Sequence, residues 1–361
     1  MTLSDLVLLP CLHQYLSVAM EIGDQSFLGQ MPKILLWYNK MMTVPFISET
    51  FSRFGICALT FGDVDSDRIN SEALIAVCSK QQILKSRRTL KTNMRRDAPL
   101  LINKLKSSGI EVKMDKHPND KIKLSWSDLP EDVQPIQGTV TEERSQRKCQ
   151  QIENIVSAVT TIALPGHTIV DFCSGSGHVG ITLAYLLPEC HIALVENKAE
   201  SLQRAEKRVK NLKLTNITLY NGNLDYYTAK FDIGVSLHAC GVATDMVLDK
   251  CIQCNAAFVS APCCYGSVHT THVITYPRSQ KMRNELTEEE YILLGHSADQ
   301  TPWQFQSEIA KQGKTSMALI DFDRAEAARE KGYNVSVCTM EPPTCSPKND
   351  LLIGIPVNLS C

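Results

Sequence analysis

Two short segments of the chain combine residue types that can do chemistry. They are SLHACGVATD, residues 236–245, and SAPCCYGS, residues 260–267, and each follows a short apolar run typical of a buried strand. An ordinary strand-to-helix turn needs only Gly, Ser or Asp, so an imidazole, thiols and a carboxylate there indicate a metal site, a nucleophile or the floor of a substrate pocket. The candidate catalytic residues are His238, Cys240, Asp245, Cys263 and Cys264.

A glycine-rich segment, DFCSGSGHVG at residues 171–180, lies between a predicted strand and a predicted helix. Its glycines match G-x-G-x-x-G, a pattern that lets the backbone turn tightly and approach a ligand closely. Glu196 ends the next predicted strand, where a carboxylate accepts hydrogen bonds from ribose hydroxyls. The two features together predict a cofactor that contains a nucleoside. The predicted cofactor-binding residues are Asp171, Cys173, Gly175, Ser176, Gly177, Glu196, Asn223 and Asp225, and the last two follow the third strand near the expected adenine.

Residues 139–361 alternate between strand-like and helix-like patterns, beginning with HTIVDFC and GHVGITLAYLL. Such alternation predicts a doubly wound, mostly parallel α/β sheet. The last two strand patterns, YNVSVCTM and DLLIGIPV, leave no room for a helix between them, so we expect an antiparallel hairpin.

The choice between NAD and S-adenosylmethionine depends on two features. Asp171 lies four residues before the first glycine, where a carboxylate repels a pyrophosphate but suits the ammonium end of S-adenosylmethionine. The terminal hairpin is the usual addition of the methyltransferase sheet, an analogy at the level of the fold. We therefore predict a class I methyltransferase-like Rossmann sheet of seven strands that binds S-adenosylmethionine.

The candidate catalytic residues follow the fourth and fifth strands, which are neighbours in that fold. His238 is the candidate general base, because imidazole titrates near neutrality. Asp245 is expected to orient it or to cap the following helix. Zinc is the competing interpretation, but adjacent cysteines rarely bind one tetrahedral ion together, so no metal is expected. Cys251 and Cys254 lie on a predicted helix, where core packing explains them.

Composition and charge divide the chain into three regions. Residues 1–60 form a helical region, residues 61–138 a basic and partly disordered linker, and residues 139–361 the methyltransferase-like domain. The segment Lys80–Lys123 holds 13 Lys and Arg against four acids. A basic arm that binds RNA and a solvated connector both explain this excess of charge.

The motifs DFCSGSGHVG, SLHACGVATD and SAPCCYG resemble the methyltransferase-like domain of a protein family that also carries a glutathione S-transferase C-terminal domain. TLSDLVLLPCLHQYL and PKILLWYNKMMTVPFI resemble late helices of that helical domain. The His-x-Cys-Gly and Pro-Cys-Cys pieces are more distantly similar to tRNA ribose methyltransferases of the acceptor stem. No segment resembles the thioredoxin-like half that binds glutathione, so neither glutathione binding nor glutathione transferase activity is expected.

The resemblance implies an S-adenosylmethionine-dependent methyltransferase with RNA as the candidate acceptor. The alternative is a catalytically silent, methyltransferase-like scaffold whose residues 1–60 contact a protein partner. No apolar run approaches the roughly 20 residues that span a bilayer, and the first residues do not resemble a signal peptide. Fourteen cysteines in such a chain indicate reduced thiols and a cytoplasmic location.

Overall fold

The computed structural model describes residues 32–53, 59, 87–118, 124–135, 141–300 and 307–357, together with four positions near the N-terminus, 9, 12, 13 and 16. The chain divides into two compact units, Met1–Ser86 and Arg87–Cys361. Among the described residues, no helix combines the length and the apolar character needed to cross a membrane.

The helices of the described residues are α1 Pro32–Met42, α2 Pro45–Arg53, α3 Arg87–Ser107, α4 Glu142–Thr160, α5 His178–Leu186, α6 Ala199–Leu212, α7 Val242–Gln253, α8 Gln280–Arg283, α9 Glu288–Ala298 and α10 Glu308–Arg329. The strands are β1 Thr168–Phe172, β2 His191–Glu196, β3 Ile217–Asn221, β4 Ile233–Cys240, β5 Ala257–Cys263, β6 Tyr333–Thr339 and β7 Asp350–Pro356.

The second unit is built on a seven-stranded sheet in the order β3-β2-β1-β4-β5-β7-β6. Strands β1 to β5 pair in parallel, whereas β7 runs antiparallel to both β5 and β6. The predicted class I methyltransferase-like fold and its terminal hairpin are confirmed. Strand order reverses between β1 and β4, so the carboxyl ends of these strands mark the switch point at which doubly wound sheets bind ligands.

Helices cover both faces of the sheet, and the strands are apolar on both sides for that reason. Ile169 of β1 belongs to the core on one face. Its neighbours Val170 and Phe172 belong to the core on the other face. Successive side chains of a strand point to opposite faces, so mostly apolar strands such as TIVDF bury side chains on both.

The basic region expected to be a linker contains a helix that belongs to the second unit. In α3, Ala98 and Leu105 are fully buried and Leu101 is nearly so. Leu101 and Leu105 lie in the same hydrophobic cluster as residues of α9 and α10. Apolar residues three and four positions apart form one face of this helix, so the unit begins at Arg87 rather than near residue 139.

The first unit contains helices α1 and α2. Leu35, Tyr38 and Met41 of α1 are buried together with Ile47 and Phe51 of α2. The first helix stops before Pro45, and Pro45 begins the second. The likeness of this region to a glutathione S-transferase C-terminal domain stays a prediction.

Candidate functional site

The glycine loop joins β1 to α5 at the switch point. Cys173, Gly175 and Gly177 all have positive φ angles there, of 56°, 57° and 73°. Gly177 is the N-cap of α5, and a Cβ atom on it would lie 2.8 Å from Leu194 Cδ1 of the neighbouring strand. Both its backbone conformation and its close contact with β2 therefore require glycine.

Glu196 holds the glycine loop from the end of β2. Its side chain is buried, its Oε2 atom accepts the Gly175 N–H at 2.8 Å and its Oε1 atom accepts the Lys198 N–H at 2.9 Å. A carboxylate oxygen accepts two hydrogen bonds. Each oxygen of Glu196 thus keeps acceptor capacity for a ligand hydroxyl while it fixes the loop.

Asp171 lies beneath the loop rather than in it. It is 2% exposed, and its Oδ2 atom accepts the Gly180 N–H at 2.9 Å, which ties β1 to the first turn of α5. Burial raises the pKa of Asp171 to about 7, with a further contribution from the charge of Glu196. Because the charge of Glu196 disfavours the ionised form of Asp171, a cation bound nearby would stabilise that form.

The other predicted cofactor residues lie in the glycine loop or just after β3. Asn223 and Asp225 are exposed just after β3. The Ser176 hydroxyl accepts a hydrogen bond from Arg204 Nε at 3.2 Å. Burial raises the pKa of Cys173 to about 12, helped by the charges of Glu196 and Asp171, so this residue stays a neutral thiol.

The loop fits the group that the sequence predicts for it. The buried Ser174 hydroxyl has no hydrogen-bond partner among the described residues. Free acceptor capacity on Glu196 suits ribose hydroxyls, and the acidic pair suits a cationic nucleoside. These features agree with an S-adenosylmethionine-type cofactor and disfavour a pyrophosphate.

His238 lies in an irregularity of β4. Leu237 pairs with Ala261 and Cys240 with Cys263, so β4 uses two residues where β5 uses only Pro262. Proline has no N–H to donate, and bulges are places where strands accommodate it. His238 adopts a positive φ of 65° at this bulge, and the residue remains partly exposed to solvent.

Gln151 of α4, which the sequence analysis missed, orients the His238 ring. The His238 Nε2 atom lies 2.7 Å from Gln151 Oε1, and Gln151 Nε2 donates to the Cys345 carbonyl at 2.7 Å. A carbonyl only accepts, so the amide oxygen must face the histidine, which must carry its proton on Nε2. Nδ1 is left unprotonated. Partial burial of the ring lowers the pKa of His238 below its ordinary value, and this keeps the imidazole neutral.

Three of the candidate thiols converge at the carboxyl ends of β4 and β5. The Sγ atoms of Cys240 and Cys263 lie 3.2 Å apart, those of Cys263 and Cys264 3.5 Å, and those of Cys264 and Cys240 3.4 Å. Cys240 is exposed and Cys263 is buried. Strand β4 pairs in parallel with β1, so its carboxyl end lies at the same edge of the sheet as the glycine loop.

Comparison with known proteins identifies the domain that carries this site. A family model described as a methyltransferase domain matches residues 147–271. The glutathione S-transferase C-terminal domain-containing protein of Xenopus laevis is 42% identical over 99% of this chain and 57% of its own length. The protein of the same description from Mus musculus is 42% identical over 99% of this chain and 55% of its own length. The chain is a homologue of these proteins.

This relationship confirms the resemblance drawn from the motifs, and the chain spans somewhat more than half the length of these homologues, 57% and 55%. Among solved structures, magnesium protoporphyrin IX methyltransferase from Synechocystis PCC 6803 with bound SAH is a distant likeness. It is 14% identical with a TM-score of 0.38, covering 61% of this chain and 90% of that one.

Asp245 does not have the role expected of it. It is fully buried in α7, where Arg324 donates to its Oδ1 atom at 3.0 Å and to its Oδ2 atom at 2.9 Å. Tyr276 donates to Oδ2 at 2.7 Å. The carboxylate is thus committed to a buried ion pair, and it neither orients His238 nor caps α7, whose N-cap is Gly241.

A buried arginine of α6, Arg208, also contacts the glycine loop, and the sequence analysis missed it. Arg208 of α6 is 2% exposed and donates to the Ser176 carbonyl at 2.8 Å. Burial lowers the pKa of His178 to about 2, and the charges of Lys148 and Arg208 contribute to this shift. The beginning of α5 is therefore flanked by fixed positive charge, whereas the side facing Glu196 is acidic.

Proposed function

We propose that the chain binds S-adenosylmethionine on its glycine loop and transfers the methyl group to RNA. The observation that carries the proposal is the pair of buried carboxyl groups, Asp171 and Glu196, that hold the loop at the switch point of the sheet. Arg208 fixes the opposite side of the same loop through the Ser176 carbonyl.

The bound cofactor supplies a methyl group already activated by positive sulfur, so the protein needs mainly to position the acceptor and remove its proton. Glu196 would accept hydrogen bonds from the ribose hydroxyls, and Asn223 or Asp225 would accept a hydrogen bond from the exocyclic amine of adenine. The acidic pair would stabilise the positive end of the ligand. Glu196 and Asp171 are already placed by hydrogen bonds from backbone N–H groups.

His238 would take the proton of the acceptor on Nδ1. The hydrogen bond from Nε2–H to Gln151 selects this tautomer, and the lowered pKa keeps the ring neutral near pH 7. Removal of a proton by a positioned base contributes roughly 100- to 10,000-fold to a rate. The base is therefore ready before substrate binds.

RNA is favoured as acceptor by the charge of α3. This helix carries seven Lys and Arg and one acid in its sequence, and its apolar face anchors it to the second unit through Leu101 and Leu105. Arg96 and Lys106 are exposed. Cations on an anchored helix neutralise phosphates with less loss of conformational freedom than cations on a free linker.

The first experiment measures cofactor binding. S-adenosylhomocysteine at a hundred times its dissociation constant should stabilise the folded protein by about 2.7 kcal/mol and raise its melting temperature by roughly 5 °C. Glu196→Gln should abolish most of this shift, whereas Glu189→Gln, a change at an exposed glutamate, should not. A flat response in the wild-type protein would exclude the proposal.

The second experiment follows the methyl group. Label from methyl-labelled S-adenosylmethionine should enter RNA rather than protein or small molecules, and His238→Ala should reduce incorporation at least about 100-fold while cofactor binding persists. Arg96→Glu with Lys106→Glu should weaken RNA binding and reduce its salt dependence. Binding of the cofactor without transfer to any acceptor would favour the silent scaffold instead.

A further inference from the structure

The three thiols of Cys240, Cys263 and Cys264 form a cluster that the methyl-transfer proposal does not use, and it is called the thiol cluster below. Three cysteine thiolates occur with a fourth Cys or His ligand in structural zinc sites, and as the protein ligands of some catalytic zinc sites. Among the described residues, this is the group whose His, Cys, Asp or Glu ligand atoms converge closely enough to hold a metal ion, all within 4.8 Å of one another.

Adjacent cysteines rarely bind one ion because consecutive side chains of a strand point to opposite faces. The backbone of this chain removes that obstacle. Cys264 leaves β5 in the left-handed conformation, with φ 40° and ψ 52°, which turns its thiol back toward Cys263. The bulge at His238 similarly brings Cys240 opposite Cys263. Two left-handed residues on neighbouring strands thus aim three thiols at one point.

The loops that carry the thiols are locked together. Asp299 accepts the N–H groups of Tyr265 at 3.0 Å and Gly266 at 2.8 Å, which fixes the turn after Cys264. A Cβ atom on Gly241 would lie 2.6 Å from the Ser267 carbonyl oxygen, so the turn after Cys240 sits directly against it. Left-handed non-glycine residues persist only where the surrounding structure over-determines them.

We propose that the thiol cluster binds one Zn²⁺ ion through three thiolates. With Zn–S bonds of about 2.3 Å, tetrahedral geometry places ligand sulfurs about 3.8 Å apart. The observed separations of 3.2, 3.4 and 3.5 Å need to widen by only a few tenths of an ångström. This inference reverses the expectation from sequence spacing that the chain has no metal site.

The fourth position would be open. Cys240 is exposed and Cys264 is partly exposed, so water or a ligand can reach the ion from that side. His238 is not free to occupy it through Nε2, because that atom is bonded to Gln151. Three protein ligands and an open position are characteristic of catalytic rather than closed structural zinc sites.

Zinc takes cysteine as thiolate, so its binding would release the protons of the three thiols.

Cobalt titration of the full chain tests the site. Protein reduced with a non-chelating phosphine and depleted of metal should bind one equivalent of Co²⁺ with sulfur-to-cobalt charge-transfer absorption, and one equivalent of Zn²⁺ should displace it. Cys240→Ser and Cys264→Ser should each reduce the absorption by about a third and weaken binding at least about a hundredfold, because loss of an outer partner alone costs roughly 10–100-fold. Circular dichroism will verify folding of each variant.

Cys254→Ser is the matched control, since Cys254 is exposed but lies outside the cluster, and its titration should match that of the wild type. Absence of charge-transfer absorption at one equivalent would overturn the proposal. So would a signal that survives in Cys240→Ser and Cys264→Ser, or binding of several ions without dependence on these cysteines, which would mark adventitious cobalt only.

Discussion

Replacement of Asp171 by Asn tests the electrostatics of the glycine loop. Asp171 is 2% exposed, and burial raises its pKa from 3.8 to about 7. The folded protein therefore holds this proton more tightly than the unfolded chain does. An aspartate in a salt bridge behaves in the opposite way, because its partner lowers the pKa.

The sign and size of the effect follow from linkage. Below about pH 4 the carboxyl is protonated in both states and contributes nothing. Between about pH 4 and pH 7 the unfolded chain ionises first, so the free energy of unfolding falls by about 1.4 kcal/mol per pH unit. The total penalty is about 4 kcal/mol, and it is constant above the pKa of the folded state.

In the wild-type protein the Gly180 N–H donates to Asp171 Oδ2 at 2.9 Å. An Asn side chain keeps an oxygen for this hydrogen bond but carries no charge that burial would destabilise. We therefore expect Asp171→Asn to be more stable than wild type by about 4 kcal/mol at pH 8 and by about 2 kcal/mol at pH 5. Urea unfolding at the two pH values measures both. Acids that are not coupled to Asp171 affect wild type and variant equally, so the difference reports Asp171 together with its coupling to Glu196.

The gain in stability should coincide with a loss of function. Removing the charge should weaken binding of S-adenosylmethionine by about tenfold, equivalent to about 1.4 kcal/mol. Binding of S-adenosylhomocysteine should weaken less, because that ligand lacks the sulfonium charge. Isothermal calorimetry compares the two ligands. Asp232→Asn is the control, because Asp232 is exposed but also accepts a backbone N–H, that of Thr168 at 2.7 Å. Identical pH profiles for the two variants would refute the reasoning.

Three further predictions concern groups that act through packing or orientation. Arg324→Met removes the guanidinium that pairs with the fully buried carboxylates of Asp245 and Asp321 and should lower the free energy of unfolding by about 3–5 kcal/mol, measured by urea denaturation. Leu105→Ala empties a fully buried position of α3 and should cost about 3 kcal/mol by the same measurement. Gln151→Leu removes the acceptor that orients His238 and should lower kcat at least about tenfold and shift its pH profile, with KM for the cofactor unchanged.

Each of these changes has a control on the same helix. Lys311→Met breaks an exposed ion pair of α10 and should change stability by under about 1 kcal/mol. Leu100→Ala alters a side chain of α3 that is 64% exposed and should be neutral. Gln146→Leu changes an exposed residue of α4 and should leave the pH profile intact. If a control variant and its test variant gave the same change in stability or in pH profile, the named contact would not be the cause of the effect.

The sequence by itself determined the class of the fold and the position of the loop. Apolar runs such as TIVDF alternate with amphipathic helices, and this alternation leaves a doubly wound sheet as the arrangement that buries them all. The sequence likewise predicts the glycine loop after β1 and the acid at the end of β2, because the role of each depends on residues within one turn. It also predicts a linker for the basic segment, because the charged residues there outnumber the apolar residues that anchor α3.

Only the tertiary structure decided which side chains meet. Gln151 and His238 are 87 positions apart, and Asp245 and Arg324 are 79 apart, so no local periodicity connects either pair. The direction of the thiols depends on left-handed φ angles at His238 and Cys264, which strand patterns do not predict. Local pattern specifies which elements form, whereas long-range packing specifies where a side chain at the end of an element points.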